Sequence, residues 1–281
     1  PDHRGDSPAG GHEGPHVKGR VLIVAGSDSG GGAGIQADIK AVTAMAGFAT
    51  TAITALTAQN TEGVHGVVAV EPAFIARQIE VVLTDIGADA LKTGMLHSAE
   101  VIETVVASFR KHAPGMPLVV DPVMVAKGGH RLLMSAAEAA LRDVLLPMAA
   151  LVTPNLPEAE VLAGFPVRTE ADMRRAAEHL ARLGAKAVLM KGGHLEGDRV
   201  IDLLFHDGRF ERFEDVRIAS RHTHGTGCTL ASAIAAGLAQ KMNLTDSVVR
   251  ARNYVRAAIA TAPGFGRGHG PLNHAVTVKP G

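Results

Sequence analysis

Apolar runs of strand length alternate with amphipathic stretches of helix length along most of the chain. Arg20-Val-Leu-Ile-Val-Ala25 reads as a buried parallel strand, because it is apolar without alternation. The glycine loop Gly26 to Gly34 follows it, and Ile35-Gln-Ala-Asp-Ile-Lys40 opens a helix that Gly47 can close. A second strand is expected from Thr50 to Leu56, running into Thr57-Ala-Gln59-Asn60. Glu71-Pro72 predicts a helix start, with Phe74, Ile75, Ile79, Val82 and Leu83 on one face. Ala88 to Leu96 reads as strand and loop. The helix expected from Ala99 to His112 puts Val101, Ile102, Val105, Val106 and Phe109 on one side. Strands are then expected at Leu118-Val-Val120, Leu151-Val-Thr153 and Ala187-Val-Leu-Met190. Ser135-Ala-Ala-Glu138 has the spacing of a capping box, and residues 200–205 and 208–213 read as a hairpin around His206-Asp-Gly-Arg209. Alanine-rich helices close the pattern, one beginning near Thr226 and one from Ser247 to Ala262. The alternation predicts one α/β domain over 20–281, with no linker-like gap inside it. Residues 1–19 carry Pro, Gly, His and charge with little to bury, and are expected to form a disordered tail.

Composition narrows the function. Basic and acidic residues balance at 28 each, so no electrostatic footprint for nucleic acid or an anionic membrane is present. The one cysteine fits a reducing compartment, and a cytoplasmic location is expected. Aromatic residues make up only 3%, so a flat ligand ring would rest on aliphatic and methionine side chains rather than on aromatic platforms.

The candidate chemistry gathers at strand ends and glycine loops. Gly225-Thr226-Gly227-Cys228 stands where an alanine-rich helix begins, so its backbone amides form a cradle for a phosphate-like anion. Cys228 in that positive field is expected to have a lowered thiol pKa. A plain helix cap over a small buried cysteine reads the same residues equally well, while zinc held by His222, His224 and Cys228 matches no common spacing. Gly32-Ala-Gly34-Ile-Gln-Ala37 satisfies a dinucleotide fingerprint, but the expected second-strand acid is missing. Asp38 falls one turn inside its helix, facing either substrate or solvent. Gln59 and Asn60 can read a heterocycle's edge or simply make a turn. Asp121 ends a strand, where it serves a ligand or a cap. Asn155 and Glu158 can position magnesium or its waters; capping explains the first better than the second. Lys191 at a strand end reads as a phosphate contact or a surface cation.

Taken together, six stretches resemble the bacterial hydroxymethylpyrimidine/phosphomethylpyrimidine kinases of thiamin biosynthesis. They are Ala25-Gly-Ser-Asp28 through Asp38, Ala55 to Asn60, Gly94-Met-Leu96, Thr153 to Ala159, Leu189 to His194, and His224 to Thr229. The similarity runs from about Arg20 to about His274. It implies a ribokinase-like fold, a mostly parallel central sheet with helices on both faces. It also implies ATP- and Mg²⁺-dependent phosphorylation of 4-amino-5-hydroxymethyl-2-methylpyrimidine, then of its monophosphate. By resemblance, Gly26, Asp38, Gln59 and Met95 line the pyrimidine site, Gly225, Thr226 and Gly227 form the anion hole, and Cys228 is catalytic. Asn155, Glu158 and Asp121 fall on the magnesium side, Lys191 and Thr226 on the nucleotide side, and a homodimer is the expected assembly. A pyridoxal kinase shares fold and loop and is the nearest rival; a non-catalytic pyrimidine sensor and a dehydrogenase are weaker readings.

Overall fold

The computed structural model describes residues 17–126 and 129–278. The expected tail up to residue 16, with His3, His12 and His16, lies outside the described residues. In chain order the elements are β1 Arg20–Asp28, α1 Gly34–Ala44, β2 Phe48–Asn60, β3 Gly63–Ala69, α2 Pro72–Asp85, β4 Ala90–Thr93, α3 Ala99–His112 and β5 Leu118–Val120. They continue with α4 Ala137–Ala140, β6 Leu151–Val152, α5 Leu156–Ala163, α6 Glu170–Arg182, β7 Ala187–Lys191, β8 Arg199–His206, β9 Arg209–Val216, α7 Thr226–Ala239 and α8 Leu244–Ala260.

One nine-stranded sheet has the order β3-β2-β1-β4-β5-β6-β7-β8-β9. The strands from β2 to β7 in that order are parallel, while β3, β8 and β9 are antiparallel additions at the edges. The two faces follow the period of two along β1. Leu22 and Val24 join the cluster under α2, α3, α5 and α6, and Val21, Ile23 and Ala25 join the one under α1, α7 and α8. Burial on both faces is why this strand reads as a continuous apolar run. β1 pairs with β2 on one side and β4 on the other, so the topology reverses there and a crevice opens beyond the strands' carboxyl ends.

Local chemistry fixes the helix ends. Ser98 caps α3 by accepting from the Val101 amide, and Glu100 and Arg110, Lys111 and His112 match the helix dipole at opposite ends. Asp207 and Gly208 take φ of 49° and 71°, the left-handed pair that a tight hairpin requires. The predicted hairpin is therefore present, with strands longer than the apolar runs suggested. Two local readings are corrected. Ser135 caps nothing: α4 begins after Ala136 without a side-chain cap, and Glu138 pairs with Arg131 instead. β3 was not anticipated, since an edge strand with two glycines and mostly exposed side chains carries little apolar signal. Among the described residues, no helix is long and apolar enough to cross a membrane.

Phe109 is fully buried between α3 and the sheet. Phe109→Ala should cost about 3–5 kcal/mol of stability, measured by denaturant unfolding; a loss below about 1 kcal/mol would contradict this packing.

Candidate active site

A cavity of about 970 Å³ lies at the carboxyl ends of the parallel strands, and the residues assigned to the site by resemblance line it with one exception; Asn60 also lies outside, its Oδ1 accepting from the Glu62 and Gly63 amides in the turn before β3. Its floor is the start of α7. Gly225, the N-cap, has φ of 82°, and no side chain caps the helix. A Cβ at Gly225 would lie 1.8 Å from the Gly32 carbonyl oxygen, so only glycine lets the two loops pack backbone on backbone. First-turn amides without a side-chain cap, backed by the helix dipole, suit an anion. A Cβ on Gly227 would sit 3.0 Å from Lys191 Nζ and 3.5 Å from Asp121 Oδ2, so this position keeps space beside both charges.

Cys228 is free and partly exposed. The expectation of a lowered thiol pKa is overturned. Burial pushes it up to about 12, with Asp38 and Asp121 adding to the rise, against the opposing pull of Lys92 and a hydrogen bond from the Gly34 amide. Desolvation outweighs the helix terminus, so the resting group is the thiol.

On one flank, Gly26 leaves room for Met95, whose Sδ would be 2.9 Å from a Cβ there. Thr54 Oγ1 donates to the Met95 carbonyl at 2.6 Å and fixes that loop. Asp28 accepts from the amides of Gly30 and Ala33, both at 2.8 Å, and from that of Gly32 at 3.2 Å. Its other partner is His224 Nε2, at 2.9 Å. Burial raises the Asp28 pKa, but His224 and the amides more than reverse that, leaving it below the usual carboxylate range. An ionised carboxylate only accepts, so His224 Nε2 carries the proton. Gln59 Nε2 lies 3.3 Å from that same nitrogen, while Thr57 Oγ1 already donates to the Ser27 carbonyl at 2.8 Å. Turning the Gln59 amide over, so that Oε1 faces His224 and the amino group faces Thr57, satisfies every donor.

Asp38 is the exception. It is fully buried and lies outside the cavity lining, with Lys92 Nζ donating to its two oxygens at 2.8 and 2.9 Å. Ser232 Oγ also donates to it, at 2.6 Å. Asp38 therefore supports the floor, and no oxygen of it is left facing a substrate.

The acidic flank holds Asp121, whose Oδ1 accepts from Thr153 Oγ1 and from Lys191 Nζ, each at 3.2 Å. Asn155 and Glu158 form a complete capping box: Asn155 Oδ1 accepts from the Glu158 amide at 2.9 Å and Glu158 Oε2 from the Asn155 amide at 2.8 Å. Capping thus accounts for Glu158 as well as Asn155, contrary to the sequence reading. Burial lifts the Glu158 pKa to about 7; Lys191 opposes the rise and Asp121 adds to it. Among the described residues, no group of three His, Cys, Asp or Glu side chains is placed to hold a metal ion. Beyond Lys191 the wall consists of Val200, Ile218, Ala219, Val255 and Ile259, with Arg217 and Arg256 at the margin. Arg217 donates to the carbonyls of Gly193, Leu195 and Gly197 at 2.8, 2.6 and 2.9 Å, which fixes the loop after β7.

Sequence reasoning assigned no role to Lys92, none to Asp28 beyond its place in a motif, and to His224 only such a place and an unfavoured zinc-ligand alternative. A lysine inside the apolar run Ala90-Leu-Lys-Thr93 was the available signal for the first.

The family model for phosphomethylpyrimidine kinase matches residues 28–273. The chain belongs to that family. A thiamine biosynthesis bifunctional protein from Geobacter sulfurreducens is 52% identical over 94% of this chain, which spans only 54% of that protein's length. A hydroxymethylpyrimidine/phosphomethylpyrimidine kinase from Bacillus subtilis is 45% identical over 91% of this chain and 94% of its own. Among solved structures, pyridoxal kinase from Staphylococcus aureus in complex with AMP-PCP and pyridoxal superposes with a TM-score of 0.84 at 32% identity, covering 93% of this chain and 96% of that one. Membership in the phosphomethylpyrimidine kinase family makes the chain a phosphotransferase of ribokinase-like fold.

The raised carboxyl of Glu158 gives a pH signature in metal-free buffer. The folded state keeps this proton longer than the unfolded chain, so the contribution to stability is full below about 4.5 and is lost as pH rises through about 7. Glu158→Gln preserves the capping geometry and should flatten the stability profile across that window in denaturant titrations. An unchanged slope would contradict the raised carboxyl.

Proposed function

We propose that this enzyme transfers the γ-phosphoryl group of ATP to the hydroxymethyl oxygen of 4-amino-5-hydroxymethyl-2-methylpyrimidine, and then phosphorylates the monophosphate to the diphosphate. One observation carries the reading: the uncapped start of α7 and the Cys228 sulfur lie in a single cavity, between the Gly26, Gln59 and Met95 flank and the Lys191 flank. The substrate names come from the relatives, and the residues lining the cavity support the reading.

The ring would rest against Met95 and the aliphatic lining, with the Gln59 amide reading its polar edge. In a phosphoryl transfer the protein mainly positions the reactants and stabilises charge. The amides of Gly225, Thr226 and Gly227 face charge developing on the transferred group, and Lys191 offsets charge on the nucleotide side. The alcohol oxygen forms its bond to phosphorus as the bond to the ADP oxygen breaks. The Cys228 thiol first gives up its own proton to solvent, and the hydroxyl proton then passes to the resulting thiolate. Magnesium fits here as an ion that keeps most of its waters. Glu158 and Asp121 repel one another beside Lys191, and a divalent cation held by their oxygens and by nucleotide phosphates would relieve that repulsion. When bound, it supplies charge neutralisation on the phosphates.

A pyridoxal kinase activity is the second reading, favoured by the pyridoxal complex of the S. aureus relative. Incubation with ATP and each alcohol separately, with products resolved by mass, tests both. Pyrimidine monophosphate followed by diphosphate is the expected outcome; pyridoxal phosphate as the main product would replace it. Cys228→Ala should lower kcat by about 10²–10⁴ while leaving the pyrimidine KM nearly unchanged. Equal losses in both constants, or no loss, would remove Cys228 from its role.

A further inference from the structure

The fully buried Lys92–Asp38 ion pair lies at the base of the cavity, with Lys92 in its lining and Asp38 behind it. Lys92 projects from β4 among apolar strands and is 0% exposed, as is its partner Asp38 on α1. Such a pair contributes little net stability, because removing both charges from water offsets most of their attraction. It is also tied to the reacting helix. Ser232 Oγ donates to Asp38 Oδ1, and Ser232 is one helical turn beyond Cys228 on the same face of α7. Lys92 and Cys228 border the same cavity. The two contacts from Lys92 to Asp38 go to one carboxylate, leaving a further N–H of the ammonium uncommitted to it. Gly94 leaves the adjoining space open, since a Cβ there would come within 3.0 Å of Lys92 Nζ.

We propose that Lys92 is a positioning residue for phosphoryl transfer: its ammonium, tethered by Asp38 and through it to Ser232, is the fixed counter-charge on which the Cys228 sulfur forms as a thiolate. Four charged groups act on that sulfur: Lys92 from β4, Asp38 from α1, Asp121 after β5 and Lys191 at the end of β7. Asp121 is already partnered by Lys191. Lys92 is the strongest of the influences favouring the thiolate, and it outweighs Asp38. Asp38 holds the ammonium in place through both oxygens, while its own negative charge works against the thiolate, and Asp121 and Cys228 also favour the charged lysine. The role in transfer rests on Cys228 accepting the hydroxyl proton; the electrostatic relation between Lys92 and the sulfur does not.

The chain has one cysteine, so alkylation by iodoacetamide reports on Cys228 alone. Its rate should be followed across pH for the full chain and its variants, with folding checked by circular dichroism melts. Lys92→Met should slow alkylation at a fixed pH by about tenfold or more, the effect of one unit in thiol pKa. Asp38→Asn, which keeps the cation and removes its counter-ion, should speed it. A purely structural role for the pair would move the two variants in the same direction, and that result, or no change in either, overturns the proposal. The double variant Asp38→Asn with Lys92→Met leaves no buried charge unpaired. It must still alkylate more slowly than the parent, so the test survives if a single variant fails to fold. The kcat profile for pyrimidine phosphorylation should shift to higher pH in Lys92→Met along with the alkylation midpoint. Alkylation that responds while the kcat profile stays fixed would keep the counter-charge and overturn Cys228 as proton acceptor.

Discussion

The site depends on a contact in which side chains have no part. At Gly225 the α7 backbone passes so near Gly32 that a Cβ would lie 1.8 Å from the carbonyl oxygen. That approach brings two glycine loops from opposite ends of the chain into register, and it sets the first-turn amides of α7, among them that of Thr226 donating to the Thr223 carbonyl at 3.3 Å, above the crevice between β1 and β4. Asp28 fastens the arrangement, since it holds its own loop by three amides and the other loop through His224, 196 residues away. A buried carboxylate with that many donors is costly to disturb, because each lost partner leaves an unpaired polar group. The proposed anion cradle is therefore shaped by the fold alone, which is what electrostatic preorganisation requires.

Around this frame the charges sit in two sets. Below the floor Lys92 and Asp38 are wholly enclosed; at the acidic flank Lys191 and Asp121 are paired at the cavity edge, and Glu158 is held near neutrality. The two sets are separated by the start of α7, so Cys228 lies between them. A thiol there feels two lysines and two aspartates, and burial decides the balance toward the protonated form.

Much of this was legible in the sequence, for identifiable reasons. Continuous apolar runs marked the inner parallel strands, and glycine loops at their ends marked the crevice. The motif residues other than Asp38 and Asn60 line one cavity because most of them lie within a few positions of a strand end. The sequence could not place Asp38. Its period on α1 allowed a partner from solvent or substrate, but the actual partner is 54 residues on in β4, and a third group is 194 residues away in α7. Pairings of that kind follow from strand order, which periodicity does not encode. The thiol was misjudged for a related reason: a helix terminus is visible in sequence, whereas the burial that overrides it is not. Asn155 and Glu158 looked like a ligand pair because oxygen atoms at that spacing serve both a cap and a cation.

The state of Glu158 bears on how a nucleotide could enter such a site. Two ionised carboxylates beside Lys191 would leave that flank with net negative charge, which disfavours polyphosphate. With its carboxyl near pH 7, Glu158 is partly protonated at neutral pH, so the flank is close to balanced before anything binds. A divalent cation arriving with the phosphates would favour the ionised form and draw the proton off. Proton release at Glu158 and cation binding are then linked: cation affinity should rise as the pH rises through that range, while the proton released per cation bound falls. In the proposed reaction the same cavity would meet the phosphates with little repulsion and the cation with a carboxylate, using one side chain whose charge depends on what is bound.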